Sequence, residues 1–585
     1  MLTDNYRNTS TELPPATLRR EALVARWAEW RPRTLSQHLD YMCEEYGESP
    51  LVITETRSYT YSEFQRWSVE LAAGLLQLGL KKGDHIALVM GNFPEFVALK
   101  FAIARLGAVA VPVNYLLRQQ ELSYILTQSD ARCLITMDAF GGRDYLADLN
   151  QLIPGWDGGT AGKKFAEIEH VVVFYTGNGE TSGPCSLDEL ATLGTASGRA
   201  ELELISELDL SQSNSDIVYT SGTTGTPKGV ILQHDMVLRA AYASAYTSGF
   251  QPGWRILFSL PMYHVFGYVE CLMACSFVGG AILPHLSFEP DRMLSDAETY
   301  DVTEIIAVPA MTMKLIEQAR TRGFDSSSLV MVFNSGGASP SWIWQEIRDV
   351  LGAREVMTAY GMSETTASTT CTFPEGDDSY LHNTNGKIKY AGIAGDSDLG
   401  GVLAIYKAVD PTTGADLPFG AAGELLVKGP IVTRGYYKKP IETESAIDPE
   451  GWLRTGDVGT VTEDGYVTLT GRIKETYRCG GEMVMPREVE DTLNRHDAVS
   501  QAFVVGIPDT RMGEVGCACI VPAGTDVPEI SDLRDYCMTN LAKFKVPKYY
   551  LFMQESRIPM TATGRPQKFK LVELIQNYNL LDNTG

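Results

Sequence analysis

Residues 219–230 read Tyr-Thr-Ser-Gly-Thr-Thr-Gly-Thr-Pro-Lys-Gly-Val, and they carry the strongest chemical signal in the chain. Thr220, Ser221, Thr223 and Thr224 bring hydroxyls. Gly222 and Gly225 let the backbone approach a ligand closely. Lys228 closes the segment with a cation. Successive hydroxyl and amide donors of this kind form a concave nest for phosphate oxygens. Ile217-Val218 before the segment and Val230-Ile231-Leu232 after it read as strands, so the local expectation is a phosphate-holding hairpin loop. It is not a Walker A loop: Pro227 stands before Lys228 and the G-x-x-x-x-G-K-[ST] spacing is absent. The plainer alternative is a solvated Gly/Thr turn.

Three further segments could do chemistry. Ala359-Tyr360-Gly361-Met362-Ser363-Glu364-Thr365 gathers an aromatic ring, a glycine, a hydroxyl and a carboxylate. The ring can stack on a purine, the hydroxyl can bond a phosphate, and the carboxylate can hold Mg²⁺. A helix N-terminus capped by Ser363 would look similar. Trp452 to Asp457 places a carboxylate, suited to a ribose diol, after a tight turn. Gly471-Arg472-Ile473-Lys474-Glu475 adds cations where the style of the sequence changes; its plainer reading is a charged linker.

The elements that must position these groups follow from periodicity. Residues 35–115 alternate helix and strand: an amphipathic run after Thr60 to Leu78, a strand at His85–Met90, a helix that starts in Asn92-Phe93-Pro94-Glu95 and runs through Ala104, and a strand at Ala108–Val113. Strands recur at Ile256–Leu260, Ala281–Leu283, Ile305–Val308 and Val330–Asn334. Such alternation predicts parallel sheets covered by helices. The glycine-rich stretch from Gly141 to Asn178 reads as surface excursions. From about Gly401 short strands appear at Val402–Lys407, Gly423–Lys428 and Tyr466–Thr470. After Lys474 a small α+β unit is expected, with helices at Val489–Leu493 and Ile530–Leu541 and strands at Ala502–Val505 and Cys517–Val521. The predicted class is therefore α/β. A polar segment 1–34 precedes a large body 35–473, whose part from about 401 to 473 is β-rich; a small unit 474–585 follows.

The chain has 585 residues and a net charge of −24, which argues against nonspecific nucleic-acid binding and against anionic lipid surfaces. Its ten cysteines include no CxxC pair, so zinc is not expected and reduced thiols in a cytoplasmic protein are. The first 15 residues lack a basic-then-apolar leader. The longest apolar run, Tyr268 to Pro284, is too short and glycine-bearing to span a bilayer, so no integral membrane association is expected.

Taken together, in this order, the four segments resemble the adenylate-forming superfamily: acyl-CoA synthetases, aryl-CoA ligases, luciferase-like enzymes and peptide-synthetase adenylation domains. The likeness runs from about residue 35 to 575. It includes Pro261-Met262-Tyr263-His264, Ser335-Gly336-Gly337-Ala338, Gly423-Glu424-Leu425 through Gly435-Tyr436, and Gly480-Gly481-Glu482 to Glu490. The resemblance implies that a carboxylate attacks the α-phosphate of MgATP to give acyl-AMP. The small domain then swings about a hinge and a thiol takes the acyl group. It assigns the hinge to Lys474, the ribose pair to Asp457 and Arg472, and the adenine wall to Tyr360, Gly361 and Ala338, with Met362 and Gly337 alongside. Ser363 joins Thr220–Gly225 and Lys228 on the phosphates. Glu364, with Thr224, falls to Mg²⁺. His264 becomes the gate between acyl pocket and thiol tunnel, with Val308, Gly336 and Gly337 lining room for a bulky apolar acid. Gly480 and Gly481 match a pantetheine-tunnel wall, which favours CoA over a carrier protein.

One departure matters. The family ends in P-x-T-x-x-G-K, whose lysine serves the adenylation step only; here Pro559 to Arg565 puts Arg565 at that position. Guanidinium is wider and forked where an ammonium is a compact point charge, and a misplacement of about 1 Å can cost on the order of 10²-fold. The expectation is a split: adenylation impaired, thioester formation intact, with acyl-AMP supplied by a separate adenylating enzyme. That pattern resembles non-adenylating diterpenoid-acid CoA ligases of platensimycin-type biosynthesis. The alternatives are that Arg565 does the lysine's work or that Lys568 reaches in, leaving a complete ATP- and Mg²⁺-dependent synthetase.

Overall fold

The structure, a computed structural model, describes residues 13–158, 168–177, 186–220, 226–325, 327–337, 339–480, 482–524, 527–561 and 566–577. Its body is built on two mostly parallel sheets. One has six strands in the order Lys228–Gln233, Asn214–Thr220, Val109–Pro112, His85–Val89, Ala131–Met137 and His170–Phe174. The other has seven: Glu355–Met357, Met331–Asn334, Glu304–Ala307, Arg255–Phe258, Ala281–Pro284, Pro50–Ile53 and Ser58–Thr60. Each carries one antiparallel edge pair.

Both faces of the seven-stranded sheet are buried. Ile256 and Phe258 join the main core, while Leu257 between them packs into a second core under the helices Pro290–Thr299, Pro309–Arg322 and Ile343–Leu351. That two-sided burial explains why these strands read as continuous apolar runs. Pro94–Leu106 is buried along nearly its whole length, starting on Pro94 and stopping at Gly107, whose φ of 68° is a left-handed turn. Within it Lys100 forms a fully buried ion pair with Asp216 of the phosphate-hairpin strand and lies 4.2 Å over the Tyr268 ring.

The described residues of the stretch 141–178 are more than surface excursions. Asp144 caps a helix at Tyr145–Leu152, and His170–Phe174 is the edge strand of the six-stranded sheet, parallel to Ala131–Met137. The three buried valines 171–173 are the strand signal, and nearby glycines masked it. Beyond residue 400, an antiparallel sheet joins Ile405–Val409, Gly423–Lys428, Leu453–Val461 and Val467–Arg472. Val402 lies outside its first strand, bridging instead to Tyr390 and Asp396. From Tyr477 a separate core forms around Val489, Leu493, Val504, Cys517, Leu533 and Tyr550. Its sheet pairs Val499–Asp509 with Gly513–Pro522, and Tyr549–Phe552 lies parallel on the latter.

Candidate active site

The phosphate segment sits on a true hairpin. Thr220 and Lys228 are cross-strand partners at its mouth, followed inward by Val218 with Val230 and Ile217 with Ile231. Ser221, Gly222, Thr223, Thr224 and Gly225 lie outside the described residues. Residues 435–437 add an outer rung: Val230 bridges to Tyr436, and the Tyr437 N–H donates to the Gly229 carbonyl at 2.8 Å. This rung sets the Tyr436 ring 4.2 Å beneath the Lys228 ammonium.

Tyr436 also reaches the second segment, where its hydroxyl donates to Glu364 Oε1 at 3.0 Å. Burial, then the Glu364 charge, raises the Tyr436 pKa, so the phenol stays a donor. Ser363–Thr365 is a single 3₁₀ turn, not the start of a Ser-capped helix. The Met362 N–H donates to Thr365 Oγ1 at 3.1 Å, and Thr366 follows at a left-handed φ of 66°. Strained non-glycine backbone of this kind gathers at functional loops. Ser363 and Glu364 are buried. A carboxylate with one oxygen on a phenol fits one of the one or two carboxylates that Mg²⁺ ordinarily takes alongside phosphate oxygens.

Asp457 is the third component and the best defined. It is only 3% exposed. One oxygen accepts from the Tyr360 hydroxyl at 2.6 Å and the other from Arg472 Nε at 2.7 Å. Asp457 and Arg472 are direct cross-strand partners, so the hairpin register itself builds the pair. The Asp457 N–H donates to Thr455 Oγ1 at 3.0 Å, fixing the turn around Gly456 at φ 71°. Each carboxylate oxygen keeps a free lone-pair direction for a diol. The Asp457 charge holds Arg472 above its ordinary pKa, against burial. Two residues on, Lys474 is pushed down, first by burial and then by the like charges of Lys228 and Arg472. Three cations from two segments thus converge on one region, a field that draws an anion.

Gly361 serves packing: a Cβ there would stand 2.2 Å from the Ala367 carbonyl oxygen, at a bulge against Ser368–Cys371. At the position expected to wall the acyl group, Gly336 adopts φ 92°, and a Cβ on it would meet Val308 Cγ1 at 3.1 Å and Phe266 Cε1 at 3.6 Å. Gly337 faces Pro309 in the same way. Ala338 is outside the described residues. His264 sits two residues before Phe266, and its Nδ1 accepts from the Phe266 N–H at 3.2 Å, which leaves the other ring nitrogen to carry the proton. Phe266 and Tyr436 are residues the sequence reading missed. Tyr436 stood in a quoted segment without a role, and Phe266 lay two positions beyond one.

In the small unit, Gly480 turns a hairpin at φ 62°. Its N–H donates to the Met512 carbonyl at 2.8 Å, and a Cβ would strike Met512 Cε at 2.7 Å. That contact is within the small unit rather than with the nucleotide residues. Gly481 and Arg565 lie outside the described residues. Lys568 is engaged elsewhere, 2.9 Å from Glu475 and 2.8 Å from Glu490. Burial works against its charge, but the two glutamates outweigh it and raise its pKa. A cleft of about 330 Å³ opens between the body and the small unit, bordered by Gly337, Thr358, His382, Thr470, Arg487 and Arg495. Among the described residues no helix is long and apolar enough to cross a membrane.

Comparison with known proteins agrees with this arrangement. Residues 39–437 match the family described as AMP-binding enzyme, and residues 488–565 match the AMP-binding enzyme C-terminal domain. The chain is 30% identical over 549 residues to the mitochondrial medium-chain acyl-CoA ligase ACSF2 of Danio rerio, covering 92% of this chain and 88% of the relative. It is 31% identical to a methyl-dioxo-octahydroindenyl-propanoyl:CoA ligase of Mycobacterium tuberculosis, covering 93% and 99%. Among solved structures, the o-succinylbenzoate CoA synthetase MenE of Bacillus subtilis, in complex with its acyl-adenylate, superposes with a TM-score of 0.73 at 26% identity, covering 91% of this chain and 97% of that one. The chain belongs to the AMP-binding, adenylate-forming family, and within it to the acyl-CoA synthetases and ligases, enzymes that join a carboxylic acid to a thiol.

Proposed function

We propose that this ligase works chiefly on the second half-reaction, moving an acyl group from acyl-AMP to CoA. The observation that carries the reading is the Tyr360–Asp457–Arg472 grip beside Lys228 and Lys474, which suits a nucleoside monophosphate ester. Asp457 accepts from the ribose hydroxyls, Tyr360 and Gly361 with Ala338 face the adenine, and the cations with Ser363 and residues 220–225 hold the phosphate. The thiol sulfur of CoA bonds to the acyl carbonyl carbon. The carbon–oxygen bond to phosphate breaks, and AMP leaves with the electron pair while the thiol proton passes to solvent. Lys474 is the hinge that brings Gly480 and Gly481 round to wall the pantetheine, and His264 gates its entry. When bound, Mg²⁺ would sit on Glu364 and Thr224 and neutralise phosphate charge.

Adenylation is weak in this reading because Arg565 replaces the lysine that joins carboxylate to α-phosphate, and Lys568 is already held by Glu475 and Glu490. The acid is bulky and apolar, in the range of a polycyclic or diterpenoid carboxylate. The fused-ring acid named for the Mycobacterium tuberculosis relative supports that class. A separate adenylating enzyme in the cytoplasm would supply the acyl-AMP. The competing reading, a complete synthetase using ATP and Mg²⁺, draws on the ACSF2 relatives, and an acceptor on a carrier protein in place of CoA is the third. ATP–pyrophosphate exchange with the free acid separates them. We expect weak exchange in the wild type, a rise in Arg565→Lys, and fast thioester formation from synthetic acyl-AMP with CoA. Robust wild-type exchange refutes the split, and transfer to a holo carrier protein in preference to CoA refutes the acceptor.

A further inference from the structure

Two neighbouring parallel strands, Glu304–Ala307 and Met331–Asn334, lead up to the acyl wall, the first ending just before Val308 and the second shortly before Gly336. Their register pairs Ile306 with Phe333. The Phe333 ring stands 6.0 Å from that of Phe266, the residue that faces Gly336. Phe333 also lines a small pocket of about 10 Å³, close to the threshold for one water-sized group. Its apolar lining is Phe250, Ile306 and Phe333; the rest is Ser244, Ser248, Glu270 and Glu304.

The two glutamates differ in kind. Glu270 is neutralised in place: Lys389 Nζ lies 3.3 Å from each of its oxygens, and the Ser368 N–H donates to it at 2.7 Å. Glu304, 1% exposed, has no ion pair among the described residues, whereas Glu270 has one with Lys389. Trp254 Nε1 donates to its Oε2 at 2.7 Å, and Oε1 has no such bond among the described residues. Burial above all, helped by the charges of Glu270 and Glu355, pushes its pKa up to about 8 against the Trp254 bond and Arg19. The thiols of Cys271 and Cys275 nearby are raised far out of range. At neutral pH this is a carboxylic acid with an O–H to give, in a pocket sized for one acceptor.

We propose that Glu304, with Ser248 beside it, recognises a ketone or ether oxygen at the end of the acyl group remote from its carboxyl; Ser244 already donates to the Ala240 carbonyl at 3.0 Å and accepts from Lys389 Nζ at 2.8 Å. The ligase then prefers oxygenated fused-ring acids to their hydrocarbon counterparts. This rests on Val308 and Gly336 being the acyl wall. From there to Ile306 and Phe333 is two to three residues of strand, ~7–10 Å, the span of two fused rings.

The test uses two synthetic fused-bicyclic acyl-adenylates, identical except for a remote ring ketone or a methylene. Their Kd values are measured by calorimetry, which needs no turnover, and thioester formation with CoA is followed separately. Loss of a buried donor's partner predicts about 10- to 100-fold tighter binding of the ketone by the wild type. The preference fades above about pH 8, where Glu304 loses its proton. Glu304→Gln keeps an acceptor for Trp254 and a donor for the ketone, so its preference persists without that fade. Glu304→Leu brings the two Kd values within about threefold. Equal wild-type Kd values, or a wild-type preference that holds undiminished to pH 9, overturn the proposal. Absence of thioester from either compound overturns the ligase reading instead, because the Kd ratio is judged alone.

Discussion

Asp457→Asn isolates the nucleotide grip without emptying it. Each Asp457 oxygen already accepts one bond, from Tyr360 and from Arg472. An asparagine keeps its oxygen on Arg472 Nε and turns its amide toward Tyr360, whose hydroxyl can accept. The turn held by Thr455 is a backbone feature and stays. What disappears is the negative charge and the second acceptor offered to the ribose diol. A hydrogen bond to a charged group is worth about 1.5–3 kcal/mol, so acyl-AMP binding should weaken by roughly 10- to 150-fold. The ribose is remote from the reacting carbonyl, so the loss belongs in KM, with kcat at saturation changed less than about threefold. A second arm uses acyl-2′-deoxy-AMP. The wild type should lose most of the same energy on that substrate, and Asp457→Asn little more, a coupling above about 1 kcal/mol. A KM within twofold of wild type, or losses that simply add, would refute the grip.

Three further outcomes follow from the geometry. Glu304 holds its proton in the folded state up to about pH 8, whereas the unfolded chain releases it near the ordinary glutamate value. Wild-type stability relative to Glu304→Gln should therefore fall between those values, by up to about 1.4 kcal/mol per pH unit; parallel denaturation curves across that range contradict the assignment. Gly361→Ala puts a methyl 2.2 Å from the Ala367 oxygen, and overpacking of that kind costs about 1–3 kcal/mol, measurable as a lower Tm together with weaker acyl-AMP binding. Lys568→Met leaves Glu475 and Glu490 without their cation. Because these side chains are only partly buried, the cost should be nearer 2 kcal/mol than the roughly 3–5 of a fully buried pair. Hydrogen exchange should show faster opening of Pro486–Leu493 and Lys568–Asn577, and unchanged protection there would count against the tie.

Chemistry-bearing segments were readable because each is local. The hairpin around Thr220 and Lys228 shows as two apolar runs flanking a Gly/Thr loop, and the strands of the seven-stranded sheet show as short runs of Ile, Val and Phe. What escaped is non-local. Lys100 and Asp216 lie 116 positions apart, and nothing in either neighbourhood says that they meet. Tyr436 acquires its role only because residues 435–437 add a rung beside Val230. Gly361 was expected only as part of the adenine wall, and its packing against the backbone of the next strand is not written in its neighbourhood. His170–Phe174 was passed over for a different reason: composition outweighed the signal of three consecutive valines.

The direct register between Asp457 and Arg472 has an engineering consequence. Their separation along the chain is absorbed by a hairpin that returns at Thr462–Tyr466, far from the nucleotide end, where the turn is held by Thr462 and Tyr466 themselves. Extra residues placed between the exposed Glu463 and Asp464 would lengthen the return loop and spare the Gly465 carbonyl, which accepts from the Ile388 N–H at 2.9 Å, without changing which two side chains meet. A fluorophore tag or a short affinity peptide inserted there gives a handle for testing whether the small unit moves against the body, and it leaves the two ends of the grip in step.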